Sequence, residues 1–194
     1  MSASLPTAMA PFLGYMPRIL AALLLVHTAP PVRLCARKGL GELAVALAFG
    51  PLVVIGAYYV QVQTVSLGAA LAGIPVGLLV AAILYINEFP DYEGDKATGK
   101  NNLVVVLGRS RARWGYIALL VAAYGLLLAG AGAGFYPRAA AVAAVGGLFA
   151  WQAGRTLWGH FGDRGIIPAH PKTIAAHFAT GILFAAALVV DRLW

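Results

Sequence analysis

Residues 43–87 read LAVALAFGPLVVIGAYYVQVQTVSLGAALAGIPVGLLVAAILYIN, 45 positions without one charged side chain. A helix needs about 20 apolar residues to cross the hydrocarbon layer of a bilayer, so this run is long enough for two crossings. The polar stretch Gln61-Val62-Gln63-Thr64-Val65-Ser66 divides it and predicts a helical hairpin of spans 41–60 and 67–87.

Outward from that hairpin, charge, proline and glycine bound three more apolar stretches, 114–134, 139–157 and 173–190. The opening stretch 11–27 contains Pro17 and Arg18 and predicts only a partial helix. The expected fold class is therefore all-α, a polytopic membrane helical bundle of five clear spans plus one partial N-terminal span, forming a single domain over residues 1–194. Gly and Ala at close spacing, in 68–73 and 130–134, let helices approach one another in lipid.

The composition agrees. Of 194 residues, 61% are apolar and 11% charged, against about 25% charged in soluble domains. Fourteen Lys and Arg against seven Asp and Glu give a net charge of +7. A mean hydropathy of +0.82 leaves too little polar surface for a nucleic-acid partner, and the lipid bilayer is the expected one. A single cysteine, Cys35, excludes an internal disulfide and any multi-cysteine metal site. The first 17 residues carry three prolines and no Lys or Arg, so no secretory leader is expected.

Loop charges orient the spans, because Lys and Arg near span ends favour the cytoplasmic side. Arg33, Arg37 and Lys38, then Lys96, Lys100, Arg109, Arg111 and Arg113, then Arg155, Arg164 and Lys172 place eleven of the fourteen cations on one side. Six crossings with both termini outside fit this pattern. The chain is expected in the cell membrane, multi-pass, with the acidic loop after residue 87 cytoplasmic.

That loop, Asn87-Glu88-Phe89-Pro90-Asp91-Tyr92-Glu93-Gly94-Asp95-Lys96-Ala97-Thr98-Gly99-Lys100, holds four acids within eight residues. On one continuous helix Asn87, Asp91 and Asp95 would fall within an arc of roughly 80° and direct three oxygen ligands one way. Two carboxylates on one face repel unless a cation neutralises them. Mg2+ prefers hard oxygens and is commonly held by one or two carboxylates together with phosphate and water, so a diphosphate is the implied co-ligand. The same residues also read as a solvated acidic loop balanced by Lys96 and Lys100. Pro90 is the position at which a continuous helix would break and turn Asn87 off the stripe.

The run NEFPDYEGDKATGKNNLVVVLGR resembles the second aspartate-rich motif of the UbiA superfamily of intramembrane prenyltransferases. The preceding APPVRLCARKGLGEL is similar to the segment before that family's fifth helix, and together the two runs resemble the 1,4-dihydroxy-2-naphthoate polyprenyltransferase branch of the menaquinone pathway. The resemblance runs from about His27 to the end. It implies that the chain corresponds to about helices 4 to 9 of a nine-helix fold, without the N-terminal third and without the first of two facing aspartate-rich motifs. Asn102 stands where the family has Thr, and Pro90 where arginine is frequent.

The resemblance further implies transfer of a polyprenyl group from an allylic prenyl diphosphate to an aromatic acceptor such as 1,4-dihydroxy-2-naphthoate. Asp91 and Asp95 would be the catalytic, Mg2+-binding carboxylates, with Asn87 supporting them, and Lys100, Arg33 and Arg37 would contact the diphosphate. With one motif absent, this polypeptide alone is expected to transfer poorly, or to recruit the missing half-site from a second chain. The competing reading is a non-catalytic membrane fragment or subunit that binds a divalent ion or a partner. A transporter would place ionisable residues at mid-bilayer, and the five clear spans show no charged residue there.

The remaining polar residues divide the same way. His27, His160, His170 and His177 are too scattered to suggest a metal site. The segment 155–172 reads either as a polar lid near the diphosphate or as a headgroup-facing loop. Tyr58, Tyr59, Tyr85, Phe89 and Tyr92, near span ends, read as an interfacial aromatic belt or as isoprenoid lining.

Overall fold

The computed structural model describes residues 31–193 and, ahead of them, positions 18, 21, 22, 25–27 and 29. Most of the partial span expected at 11–27 lies outside the described residues. The described chain runs α1 (Leu40–Val62), α2 (Leu67–Asn87), α3 (Tyr92–Ala97), α4 (Leu103–Leu107), α5 (Arg109–Gly132), α6 (Gly147–His160) and α7 (Ala169–Leu193). Short 3-10 segments lie at Leu34–Ala36, Arg138–Gly146 and Arg164–Ile166.

Among the described residues four segments are long and apolar enough to cross a bilayer: Leu40–Val62, Leu67–Asn87, Arg109–Gly132 and Arg164–Asp191. The span expected at 139–157 is not one α-helix. It is wound as 3-10 over Arg138–Gly146 and as α over Gly147–His160. Three residues per 3-10 turn align positions three apart, and Ala140, Ala143 and Gly146 are the residues buried. A Cβ on Gly146 would lie 2.9 Å from the Thr180 backbone nitrogen, so this face is wound tightly against the α7 backbone. At roughly 2.0 Å rise per residue in the first piece and 1.5 Å in the second, the pair still reaches about 39 Å, longer than the hydrocarbon layer.

The hairpin of α1 and α2 is joined backbone to backbone. A Cβ on Gly50 would lie 2.6 Å from the Gly73 carbonyl oxygen and 2.7 Å from the Gly77 Cα. Only glycines at all three positions permit that approach. Pro51, which has no N–H to donate, sits in a π-helical turn over Ala48–Leu52 that widens the ladder where a bond is lost. Ser66 starts α2 by accepting from the Ala69 N–H at 3.3 Å.

Polar rungs tie the other long helices. Tyr85 of α2 donates to the Ala112 carbonyl at 3.0 Å, and the Tyr116 and Tyr124 hydroxyls of α5 meet Thr173 and Thr180 of α7 at 2.6 and 3.0 Å. Between these rungs the larger buried cluster, including Tyr85, Ile86, Phe89, Tyr116 and Leu157, gathers at the end where α2 leads into the acidic loop. A smaller cluster around Leu127, Tyr136 and Phe184 closes the opposite end. By contrast, very little of α1 is buried, so its apolar surface is left for lipid or another helix.

Candidate functional site: an acidic turn at the end of the bundle

The helix from Leu67 ends at Asn87, and Glu88–Pro90 form a turn that leads to Asp91 at the N-cap of α3. Pro90 therefore does break the stripe, and Asn87 belongs to a different helix from Asp95. Asp91 and Asp95 remain one turn apart, with the Asp95 N–H donating to the Asp91 carbonyl at 2.8 Å.

The two aspartates differ in partners. The Asp95 Oδ2 accepts from Lys100 Nζ at 2.9 Å and from Asn102 Nδ2 at 2.7 Å, which leaves Oδ1 uncommitted. Asp91 and Asn87 are exposed, and among the described residues neither side chain has a hydrogen-bond or ionic partner. Burial works against the charge of Lys100, but the hydrogen bond and charge of Asp95, together with Glu88, outweigh it and raise the pKa. Lys100 is thus a fixed cation beside a half-free carboxylate.

Asn102, fully buried, is the joint of the loop. Its Oδ1 accepts from the Val105 N–H at 2.9 Å and caps α4 while its amide nitrogen holds Asp95. The departure from Thr at this position thus keeps an N-cap acceptor and adds a donor to the acid. An Asn directly before the apolar run Leu103–Leu107 is an N-cap signal that sequence reasoning missed.

The loop before α1 docks here too. The Asn101 N–H donates to the Ala36 carbonyl at 3.1 Å, and Arg37 and Asn101 form a parallel bridge. Arg37 is spent locally, donating to the Pro31 carbonyl at 2.9 Å, while Arg33 is exposed with a left-handed backbone, φ 42°. Of the two arginines, only Arg37 is thereby tied to the acidic loop.

Two acids outside the expected ligand set, Glu42 and Glu88, lie beneath the loop. Glu42, in the first turn of α1, is buried and accepts from the Leu103 N–H at 3.0 Å. Glu88 is only 4% exposed, and its Oε2 has no hydrogen-bond partner. Burial, and after it the nearby Glu42 carboxylate, push the Glu88 pKa from the ordinary 4.5 up to about 9, against the pull of Lys100. The sequence signal was an acid at each border of the long uncharged run, where a helix end meets protein rather than water.

His170, at the start of α7, places Nε2 3.0 Å from the Ile86 carbonyl and secures the C-terminal end of α2. Arg109 reaches back from α5 to the Phe89 carbonyl at 3.3 Å and stacks on Tyr92 at 4.7 Å. The acidic turn is therefore held from three sides, while the Asp91 carboxylate and one Asp95 oxygen are left open. Among the described residues no three His, Cys, Asp or Glu side chains converge on a point. Two open carboxylates beside a lysine suit an ion that takes its other ligands from phosphate and water, not an all-protein cage.

Comparison with known proteins puts this geometry in context. The profile of the UbiA prenyltransferase family matches residues 5–164. The 1,4-dihydroxy-2-naphthoate octaprenyltransferase of Escherichia coli (strain K12) is 41% identical over 83 residues, 43% of this chain and 27% of that protein. A 2-carboxy-1,4-naphthoquinone phytyltransferase of Synechocystis sp. is 38% identical over 97 residues, 50% of this chain and 28% of its own length. UbiA prenyltransferase domain-containing protein 1 of Homo sapiens is 34% identical over 85 residues, 44% of this chain and 25% of that protein. The matches thus span little more than a quarter of these relatives. No solved structure matches the chain.

Proposed function

The chain belongs to the UbiA prenyltransferase family, and from that premise we propose that it serves transfer of a polyprenyl group from an allylic prenyl diphosphate to an aromatic acceptor resembling 1,4-dihydroxy-2-naphthoate. The observation that carries this reading is the acidic turn, in which Asp91 and one oxygen of Asp95 are open beside Lys100 at the mouth of an apolar bundle. The donor set fits Mg2+ with a diphosphate, and Asn87 has a free amide oxygen nearby in sequence.

In this reading Asp91 and Asp95 hold the ion and Lys100 faces the diphosphate as a point charge. Arg33 and Arg37, on the loop that docks through Asn101, add positive charge for the same group. Bound Mg2+ would supply Lewis acidity that draws charge onto the leaving diphosphate. The apolar ends of α2 and α5 would keep water from the allylic carbon while the electron-rich ring of the acceptor attacks it. The diphosphate leaves with the electrons of the broken carbon–oxygen bond, and the ring carbon then loses its original substituent as a cation, such as a proton. The loop faces the cytoplasm of a multi-pass cell-membrane protein, on the side rich in Lys and Arg.

The test uses the chain in lipid nanodiscs, with prenyl diphosphate binding and transfer measured with and without Mg2+. Asp91→Ala and Asp95→Ala should each weaken Mg2+-dependent binding at least tenfold. Unchanged binding in both would remove the proposal's support. A second reading, ion binding without turnover, draws on the same two-carboxylate set, because one such set is half of the facing pair that the family resemblance implies. Mg2+-dependent binding without transfer favours it, and transfer restored by a second chain bearing the other half-site argues against it.

A further inference from the structure

A second feature at the same end of the bundle is built for a different ligand. Between α5 and α6 runs an apolar groove of about 410 Å3, lined by Leu120, Val121, Tyr124, Ala150, Trp151 and Gly154, with Arg155 at its edge. That volume lies within the roughly 300–1,000 Å3 of small-molecule sites. A polar pocket of about 430 Å3 shares Trp151 and Arg155 with it and adds Gln152, Thr156, His160 and Lys172. An apolar groove and a basic pocket therefore adjoin at Trp151 and Arg155 on α6.

The cations at the change are not neutralised. Arg155 stacks on Trp151 at 4.9 Å, and Lys172 donates to the Thr156 hydroxyl at 2.9 Å. Among the described residues neither forms an ion pair. Asp163 in the neighbouring turn is engaged by His160 at 3.2 Å and by the Gly165 N–H at 2.7 Å. Beside the groove, Arg113 lies 4.0 Å from the Trp158 ring, which meets Trp114 edge-on at 4.8 Å. Tryptophan with arginine marks the headgroup level of a membrane.

We propose that these adjoining pockets bind one anionic phospholipid, with an acyl chain in the groove between α5 and α6 and the headgroup phosphate in the basic pocket, on Arg155 and Lys172. Charge complementarity selects the headgroup, since two unpaired cations at the interface favour an anionic lipid over a zwitterionic one. The apolar lining and its exposed flanks, Val121 at 66% and Trp151 at 61%, select a bilayer lipid over a soluble phosphate. Asp91, Asp95 and Lys100 take no part, so this assignment does not depend on prenyl transfer.

The chain is purified in zwitterionic nanodiscs containing brominated phosphatidylglycerol or, separately, brominated phosphatidylcholine, and tryptophan quenching is compared at equal mole fraction. Quenching at least twofold stronger with the anionic lipid is expected, unchanged by millimolar inorganic phosphate, because a free phosphate has no chain to seat. Arg155→Gln with Lys172→Gln should abolish the preference, and Arg155→Lys with Lys172→Arg should keep it. Equal quenching by both lipids in the unaltered chain overturns the proposal. So does a preference that survives loss of both cations, or one removed by farnesyl diphosphate or by raising protein concentration, which would give the groove to substrate or to a second copy.

Discussion

Replacing Glu88 by Gln removes a proton that the fold is forced to keep. Glu88 is 4% exposed and its pKa rises from 4.5 to about 9, chiefly through burial and then through Glu42. Between those values the folded chain holds a proton that the unfolded chain has released, so stability is fullest at and below pH 4.5 and falls as pH rises through the window. At pH 7.5, three units above the ordinary value, the cost is about 4 kcal/mol at roughly 1.4 kcal/mol per unit. A detergent-solvated unfolded chain keeps part of that burial, so about 2 kcal/mol is the expected effect. For a chain of this size that is about 4–8 °C in Tm. Glu88→Gln keeps the shape of the protonated acid without being able to ionise beside Glu42. Thermal unfolding in detergent should therefore show the Tm of the variant drawing ahead of the native chain by that amount between about pH 5 and pH 7.5. A difference that stays constant over the range refutes the buried-proton reasoning.

Two further substitutions probe the scaffold. Asn102→Ala removes both the α4 cap and the amide that holds Asp95, and should cost about 1–2 kcal/mol in the same unfolding assay. Asn102→Ser keeps a cap oxygen and should recover most of the stability without the Asp95 contact. Gly77→Leu drives a side chain into the Ala46 carbonyl and the Gly50 Cα across the hairpin. It should separate α1 from α2, read as new protease cleavage in the turn at 63–66, whereas cleavage equal to the native chain would show that the close approach is dispensable.

The spans were legible from composition because a charge buried in hydrocarbon is so costly that uncharged runs of the right length have one stable outcome. The turn between the first two spans, the start of α2 at Leu67 and its end at Asn87 all follow from that local constraint, although α1 runs on through Gln61 and Val62 and the turn is confined to 63–66. Pro90 likewise announced the break that separates Asn87 from Asp95. Helix docking decided the rest. No periodicity brings Glu42 beneath the same loop as Glu88, and none shows that Asn102 joins Asp95 to a helix cap. The 3-10 winding of 138–146 answers to the α7 backbone behind Gly146, and the groove beside Arg155 exists only because α5 and α6 come together. Solvent preference is a property of each residue in turn, while the partner of a buried carboxylate or an unpaired cation depends on which distant backbone arrives beside it.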